Sequence, residues 1–262
     1  MATRVARTPS TLSAYVLHRY DWSETSLILD LFTREQGRLA VAAKGAKRPY
    51  SQLRPVLLPF QRIHVALGRV PKPTDGETQA SEVQNLRSAE WVGGAAMLTG
   101  AALFSGFYLN ELLMKLLARQ DPHPQLFDVY AQTLPMLAAD EELAVQAALR
   151  AFELRLLQEV GLLPDLSLST LTVEEVQPQR HYAVLPEAGV TDARAGDPRI
   201  AGAALIGLQA ALTHGSLPAL QQACAQALPE LKTMLRTLLH YHLGTPMLRT
   251  RQLMIDVQSL VP

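Results

Sequence analysis

The sequence predicts an α+β protein, with a small β-barrel over residues 1–88 followed by a mainly helical domain over residues 89–262. Three observations carry this. Short apolar runs at regular spacing, with turn residues between them, fill the first part of the chain. Beyond Ala89 the pattern becomes Ala- and Leu-rich with helical period. The charge balance also reverses there. Residues 1–85 hold 12 Lys and Arg against 7 Asp and Glu, and residues 86–262 hold 12 against 17, which together give a net charge of zero.

The first strand candidate is Leu12 to Tyr20, where Tyr15 and Leu17 alternate with Val16 and His18. Ser26 to Thr33 is the second, ending in a polar turn through Arg34–Gly37, and Arg38 to Lys44 is the third. Phe60 to Leu67 is the fourth, with Ile63, Val65 and Leu67 on one face and Arg62 and His64 on the other. Ser81 to Arg87 is the fifth, and Pro71–Thr78 reads as an exposed loop before it. Five short strands of this kind suit a small barrel.

Leu103, Phe107, Leu112 and Leu116 stay on one side of a long helix, and Leu126, Phe127, Tyr130, Leu134 and Leu137 have the spacing of a second. Leu149, Phe152, Leu156 and Val160 mark a third, closed by Gly161 with Pro164 beyond. Residues 165–196 interrupt the helical pattern, so loop and a small ribbon near Tyr182–Leu185 are expected. Asp197-Pro198 then reads as a helix start, as does Ser216-Leu217-Pro218. Pro229 interrupts that helix or starts another. Leu231, Leu235, Leu238 and Leu239 line the last long helix, which Gly244 and Pro246 stop.

Several function classes lose support. A single cysteine, Cys224, rules out an intramolecular disulfide and a cysteine zinc cage, and fits a cytosolic protein. The N-terminus lacks the apolar core of a signal peptide. Val92 to Leu109 is uncharged over 18 residues, but its glycines, Thr99 and Ser105 favour a helix buried in protein over a membrane span. His240 and His242, two apart on a helix, point roughly 200° apart and cannot share an ion. No nucleophile elbow, P-loop or dinucleotide fingerprint is present. The chain is therefore expected to be a binding protein without a cofactor or metal, not an enzyme.

The charge has a focus. Between Arg34 and Lys72 stand nine basic residues and one acid, Glu35. Within this span Val41–Phe60 starts as a strand, breaks at Gly45, carries Lys44, Lys47, Arg48 and Arg54, and returns to an apolar run. A basic, Gly-broken loop between strands suits phosphates, and the salt dependence of such binding is steep because neutralised phosphates release counterions. Tyr20, Trp22 and Tyr50 stand beside turns where a base could stack, while Phe32 and Phe60 belong to the core. An acidic protein surface would answer the same charge, so a helical scaffold whose barrel binds an acidic partner is the alternative.

Collinear segments resemble the bacterial RecO recombination mediator family. They are Val16-Leu17, Trp22–Leu27, Asp30–Thr33 and Gly37, then Ala43-Lys44-Gly45-Ala46, Ser51 and Leu58-Pro59-Phe60. Leu86–Glu90 and Tyr108–Leu113 follow, then Arg150, Phe152-Glu153-Leu154, Leu157 and Gly161, and last Gly244, Pro246 and Arg249-Thr250-Arg251. The resemblance implies an N-terminal OB-fold and a helical C-terminal domain. It implies binding of single- and double-stranded DNA, annealing of complementary strands, and work with RecR to load RecA on DNA coated by single-strand-binding protein. It also implies that the helical domain takes the acidic C-terminal tail of that protein, and that the chain is cytoplasmic and nucleoid-associated. Some members carry a four-cysteine zinc site after the helix ending here at Gly161; this chain has no cysteine there. Lys44, Lys47, Arg48 and Arg54 are the expected phosphate contacts, with Arg34 and Arg38 on the same side. Arg150 and Arg155 on one helix, and Lys115 and Arg119 on another, are the candidates for the tail.

Overall fold

A computed structural model describes residues 11–68, 83–93, 97–244 and 248–253. The chain divides into two compact units. Residues 1–95 with 117–127 form one, and residues 96–116 with 128–262 form the other.

The first unit is a closed barrel. Its strands are β1 (Thr11–Asp21), β2 (Leu27–Thr33), β3 (Gly37–Ala43), β4 (Arg62–Leu67) and β5 (Val83–Trp91). The order around the barrel is β1-β2-β3-β5-β4, closed by antiparallel pairing of β4 with β1. Only β3 and β5 pair in parallel. Alternation fills the interior: Leu12, Ala14 and Val16 of β1, Leu29 and Leu31 of β2, Leu39 and Val41 of β3, and Ile63 and Val65 of β4 all point inward. β5 runs four residues past the expected Arg87, because its ladder with β4 continues to the Ile63–Trp91 pair.

One outer face of the barrel is also apolar. Tyr15 and Phe32 are buried there, with their rings 5.2 and 5.4 Å from that of Phe127, and the Arg62 guanidinium lies 5.8 Å from the same ring. Residues 117–127 supply this cover. The amide of Gln120 donates to the carbonyl of Arg38. Gly37, with φ of +69°, packs so closely on the backbone of Asp121 that no side chain could stand at that position.

The second unit contains α1 (Gly100–Leu116), the part of α2 (Pro124–Met136) from Asp128 onward, α3 (Glu142–Glu159), α4 (Gly202–His214), α5 (Leu217–Ala225) and α6 (Leu228–Leu243). Helix α3 packs against α5 and α6 and buries a run from Ala147 to Leu157. Ser216 caps α5 by accepting from the amide of Ala219, and Gly244 ends α6 at φ of +62°.

Two expectations need correction. The uncharged stretch Val92–Leu109 is helical only from Gly100; Val92, Gly93 and Met97–Thr99 are not. Asp197-Pro198 does not start a helix. The Asp197 carboxylate accepts from the amide of Arg194 in a local turn, and α4 begins at Gly202. The intervening Ile200–Ala201 is taken by β8, which pairs with β6 (His181–Leu185) beside β7 (Gly189–Asp192). The expected ribbon in the irregular region is thus a three-stranded sheet. The Pro71–Thr78 loop and Pro246 lie outside the described residues. Among the described residues no helix is long and apolar enough to cross a membrane.

Candidate nucleic-acid interface

The chain from Lys44 to Phe60 is a string of tight turns. Amide-to-carbonyl bonds run from Arg48 to Gly45, Ser51 to Arg48, Arg54 to Ser51 and Leu57 to Leu53. Gly45 takes φ of +72°, which breaks β3. Ala46 and Leu57 are buried in the barrel core, and Leu53 and Val56 pack against it. Apolar anchors therefore hold the loop at one end of the barrel, and the cations stand on its outer side. Lys44, Arg48 and Arg54 are exposed, and Lys47 is half-buried.

Two adjoining recesses lie along this loop. Arg19, Asp21, Lys47 and Arg54 line the first, and Arg19, Tyr50, Arg54 and Leu58 line the second. Arg19 and Arg54 are common to both, so together they form one cationic groove. Tyr50 is 95% exposed at its edge, and Trp22 is 57% exposed in the β1–β2 hairpin. Lys47 has a partly structural role: its ammonium lies 3.0 Å from the Asp21 carboxylate and donates to the Ser23 carbonyl. Arg19 has no signature in sequence, being a single cation near the end of the first strand. Barrel closure brings it to the loop, where its guanidinium donates to the Leu57 carbonyl at 3.4 Å.

Arg34 and Arg38 are not part of this groove. They sit at the β2–β3 turn, at the opposite end of β3 from Lys44, about 20 Å away along the strand. Arg38 faces Asp30, a carboxylate only 4% exposed, at 3.8 Å, and Arg119 approaches the same carboxylate at 3.8 Å. Burial, followed by the charge of Asp30, raises the pKa of the neighbouring Tyr20 phenol. Arg38 and Arg119 thus neutralise a buried acid inside the barrel unit.

The helical unit contains a pocket of about 290 Å³. Phe104, Leu149, Leu239 and Leu248 make its apolar lining, and Arg150, Lys232, Arg236 and Arg251 give it a basic rim. Arg150 is anchored by an ion pair to Glu153 at 2.8 Å, and the Tyr108 hydroxyl donates to the other Glu153 oxygen at 2.6 Å. Glu153 is fully buried, and burial raises its pKa against the opposing pull of Arg150 and Tyr108. His240 also lines the pocket. Its pKa is lowered, first by burial and then by the charges of Arg236 and Arg251.

Of the four residues expected to take a peptide tail, Arg150 alone lines this pocket. Arg155 is five residues on, about 140° around the helix, and its guanidinium donates to Gln158 and the Leu212 carbonyl. Lys115 is exposed in the last turn of α1, and Arg119 belongs to the barrel unit. Lys232 and Arg236 stand one turn apart on α6 and Arg251 follows fifteen residues later, and the packing of α3 and α6 with residues 248–251 brings them together with Arg150.

A closed five-stranded barrel followed along the chain by a helical unit defines the class: an OB-like barrel protein with a helical second part. The family model described as "Recombination protein O N terminal" matches residues 8–92, and "Recombination protein O C terminal" matches residues 97–252. The DNA repair protein RecO of Polaromonas naphthalenivorans (strain CJ2) is 53% identical over 249 residues, covering 94% of this chain and 96% of that relative. The DNA repair protein RecO of Verminephrobacter eiseniae (strain EF01-2) is 49% identical over 265 residues, covering 99% of each. The chain belongs to the RecO family of DNA repair proteins.

Proposed function

We propose that this protein is a non-enzymatic recombination mediator. It binds single- and double-stranded DNA, anneals complementary strands and, with RecR, helps load RecA on DNA coated by single-strand-binding protein. It does so in the cytoplasm, associated with the nucleoid. The observation that carries the reading is the groove in which Arg19, Lys47 and Arg54 meet beside the exposed Tyr50. Cations spaced along a groove can follow a phosphate backbone, and an exposed aromatic ring can stack on a base of any identity. Screening phosphates on two strands lowers the repulsion that keeps complementary strands apart. No bond to DNA is made or broken, so the work is done by binding and geometry.

Fluorescence anisotropy with labelled single-stranded DNA across a salt series tests this. Replacing Lys44, Lys47 and Arg48 together with Ala, or Arg19 and Arg54 together with Ala, is expected to weaken binding. Each lost phosphate contact should make the log–log salt slope shallower by about 0.7. Unchanged binding by both variants would rule out the groove, and no binding by the parent would rule out the DNA reading. In that second case an acidic protein partner becomes the better reading of the barrel.

The helical pocket supports a second contact. An apolar floor under a basic rim is chemically matched to the acidic, apolar end of the single-strand-binding protein tail. Arg236→Ala is expected to weaken a labelled acidic peptide with an apolar C-terminus and leave DNA affinity unchanged.

A further inference from the structure

One wall of the helical pocket is not part of a long helix. Leu248, Thr250 and Arg251 line it from the described residues 248–253, which are helical from Arg249. Leu248 is the buried apolar residue in this stretch, and Arg249, Arg251, Gln252 and Leu253 are exposed. So little buried apolar surface offers weak adhesion.

A carboxylate ties the stretch to α1. Glu111 of α1 accepts from the amide of Arg249 at 2.9 Å with one oxygen. With the other it accepts from the amide of Thr250 at 2.9 Å and the hydroxyl of Thr250 at 2.7 Å. Those amides open the helical turn, where N–H groups lack partners within the turn and an anion is favoured. The partners are 138 and 139 residues apart in sequence. Helix α1 also gives Phe104 and Tyr108 to the pocket, and Glu111 lies on the same face, three residues beyond Tyr108.

We propose that Glu111 is the positioning residue of this pocket. By strapping residues 248–253 to α1 it sets Leu248 in the apolar lining and Arg251 on the rim. It never touches the bound peptide itself. The inference rests on the reading that the pocket takes an acidic peptide with an apolar end.

The test uses the full chain, a dye-labelled synthetic peptide of several aspartates ending in Leu-Phe with a free carboxylate, and amide hydrogen exchange. Glu111→Ala is expected to weaken the peptide about tenfold, the scale of one or two lost charge-assisted bonds. It should speed exchange at Arg249 and Thr250, with single-stranded DNA affinity unchanged. A merely structural role would not predict the coupling that follows. Arg251→Ala should cost little more once Glu111 is gone, whereas Arg236→Ala should keep its full cost in the same background. If Glu111→Ala does not fold, Glu111→Gln carries the test: its amide keeps one acceptor oxygen, but an NH2 group replaces the other oxygen and the charge is lost, so a partial loss of about threefold or more is expected. Parental affinity in both variants, or fully independent costs for Glu111 and Arg251, overturns the positioning role alone. A parent that does not bind the peptide, with Arg249 and Thr250 still protected, overturns the peptide reading and this inference with it.

Discussion

His240 and Cys224 show how packing decides what a side chain can do. His240 stands among Arg236 and Arg251, and burial together with those charges holds its pKa below the ordinary value. It is mostly neutral at pH 7. An anionic ligand in the pocket favours the charged ring, so binding takes up a proton. Peptide affinity should therefore rise as pH falls from about 6.5, the ordinary histidine value that the His240 ring lies below, to about 5, and His240→Gln should flatten the rise. A titration at the two pH values checks this. Cys224 is fully buried, and burial, with the nearby Glu153 charge, pushes its thiol up to about 12. The native thiol should resist alkylation by iodoacetamide and react fully once denaturant unfolds the chain. Mass spectrometry of the two samples decides it. The sequence places this cysteine in an Ala- and Gln-rich helix. It did not disclose the Arg150–Glu153–Tyr108 cluster, whose members lie up to 45 residues apart.

At the scale of elements, strand periodicity was legible because alternation reports burial directly. Every barrel strand was foreseen from side chains that now fill one core. What sequence reasoning missed are the irregular pieces whose conformation is set by long-range partners. Residues 200–201 became a strand because β6 offered a free edge. Residues 117–127, whose Leu126 and Phe127 read in sequence only as the start of the second helix, cover Tyr15 and Phe32 through Phe127. Phe127 is fully buried. Phe127→Ala should cost about 3–4 kcal/mol, measured as a drop in the denaturant midpoint of the barrel transition. Of the basic residues chosen from sequence, those on the Lys44–Arg54 loop remain together because they are neighbours in the chain. Arg34 and Arg38 fall away because β3 carries them to the other end of the barrel.

For the whole molecule, the reversal of charge along the chain has two local expressions. The basic loop belongs to the barrel unit, yet the helical unit, acidic in total, still concentrates four cations around one pocket. Bulk charge foretold the first and concealed the second. The two sites share no residue, so their energetics should add. A variant combining Arg19→Ala and Arg54→Ala with Arg236→Ala should lose DNA affinity and peptide affinity by the same factors as the separate variants. Anisotropy with each labelled ligand reads both losses from one preparation.

The barrel unit is not a continuous piece of sequence: it takes residues 1–95 and then 117–127, with α1 threaded between them. A gene fragment ending after β5 would encode the strands but omit their own outer cover. A fragment meant to carry the barrel together with its cover therefore has to extend through Phe127, and it then includes α1 of the other unit.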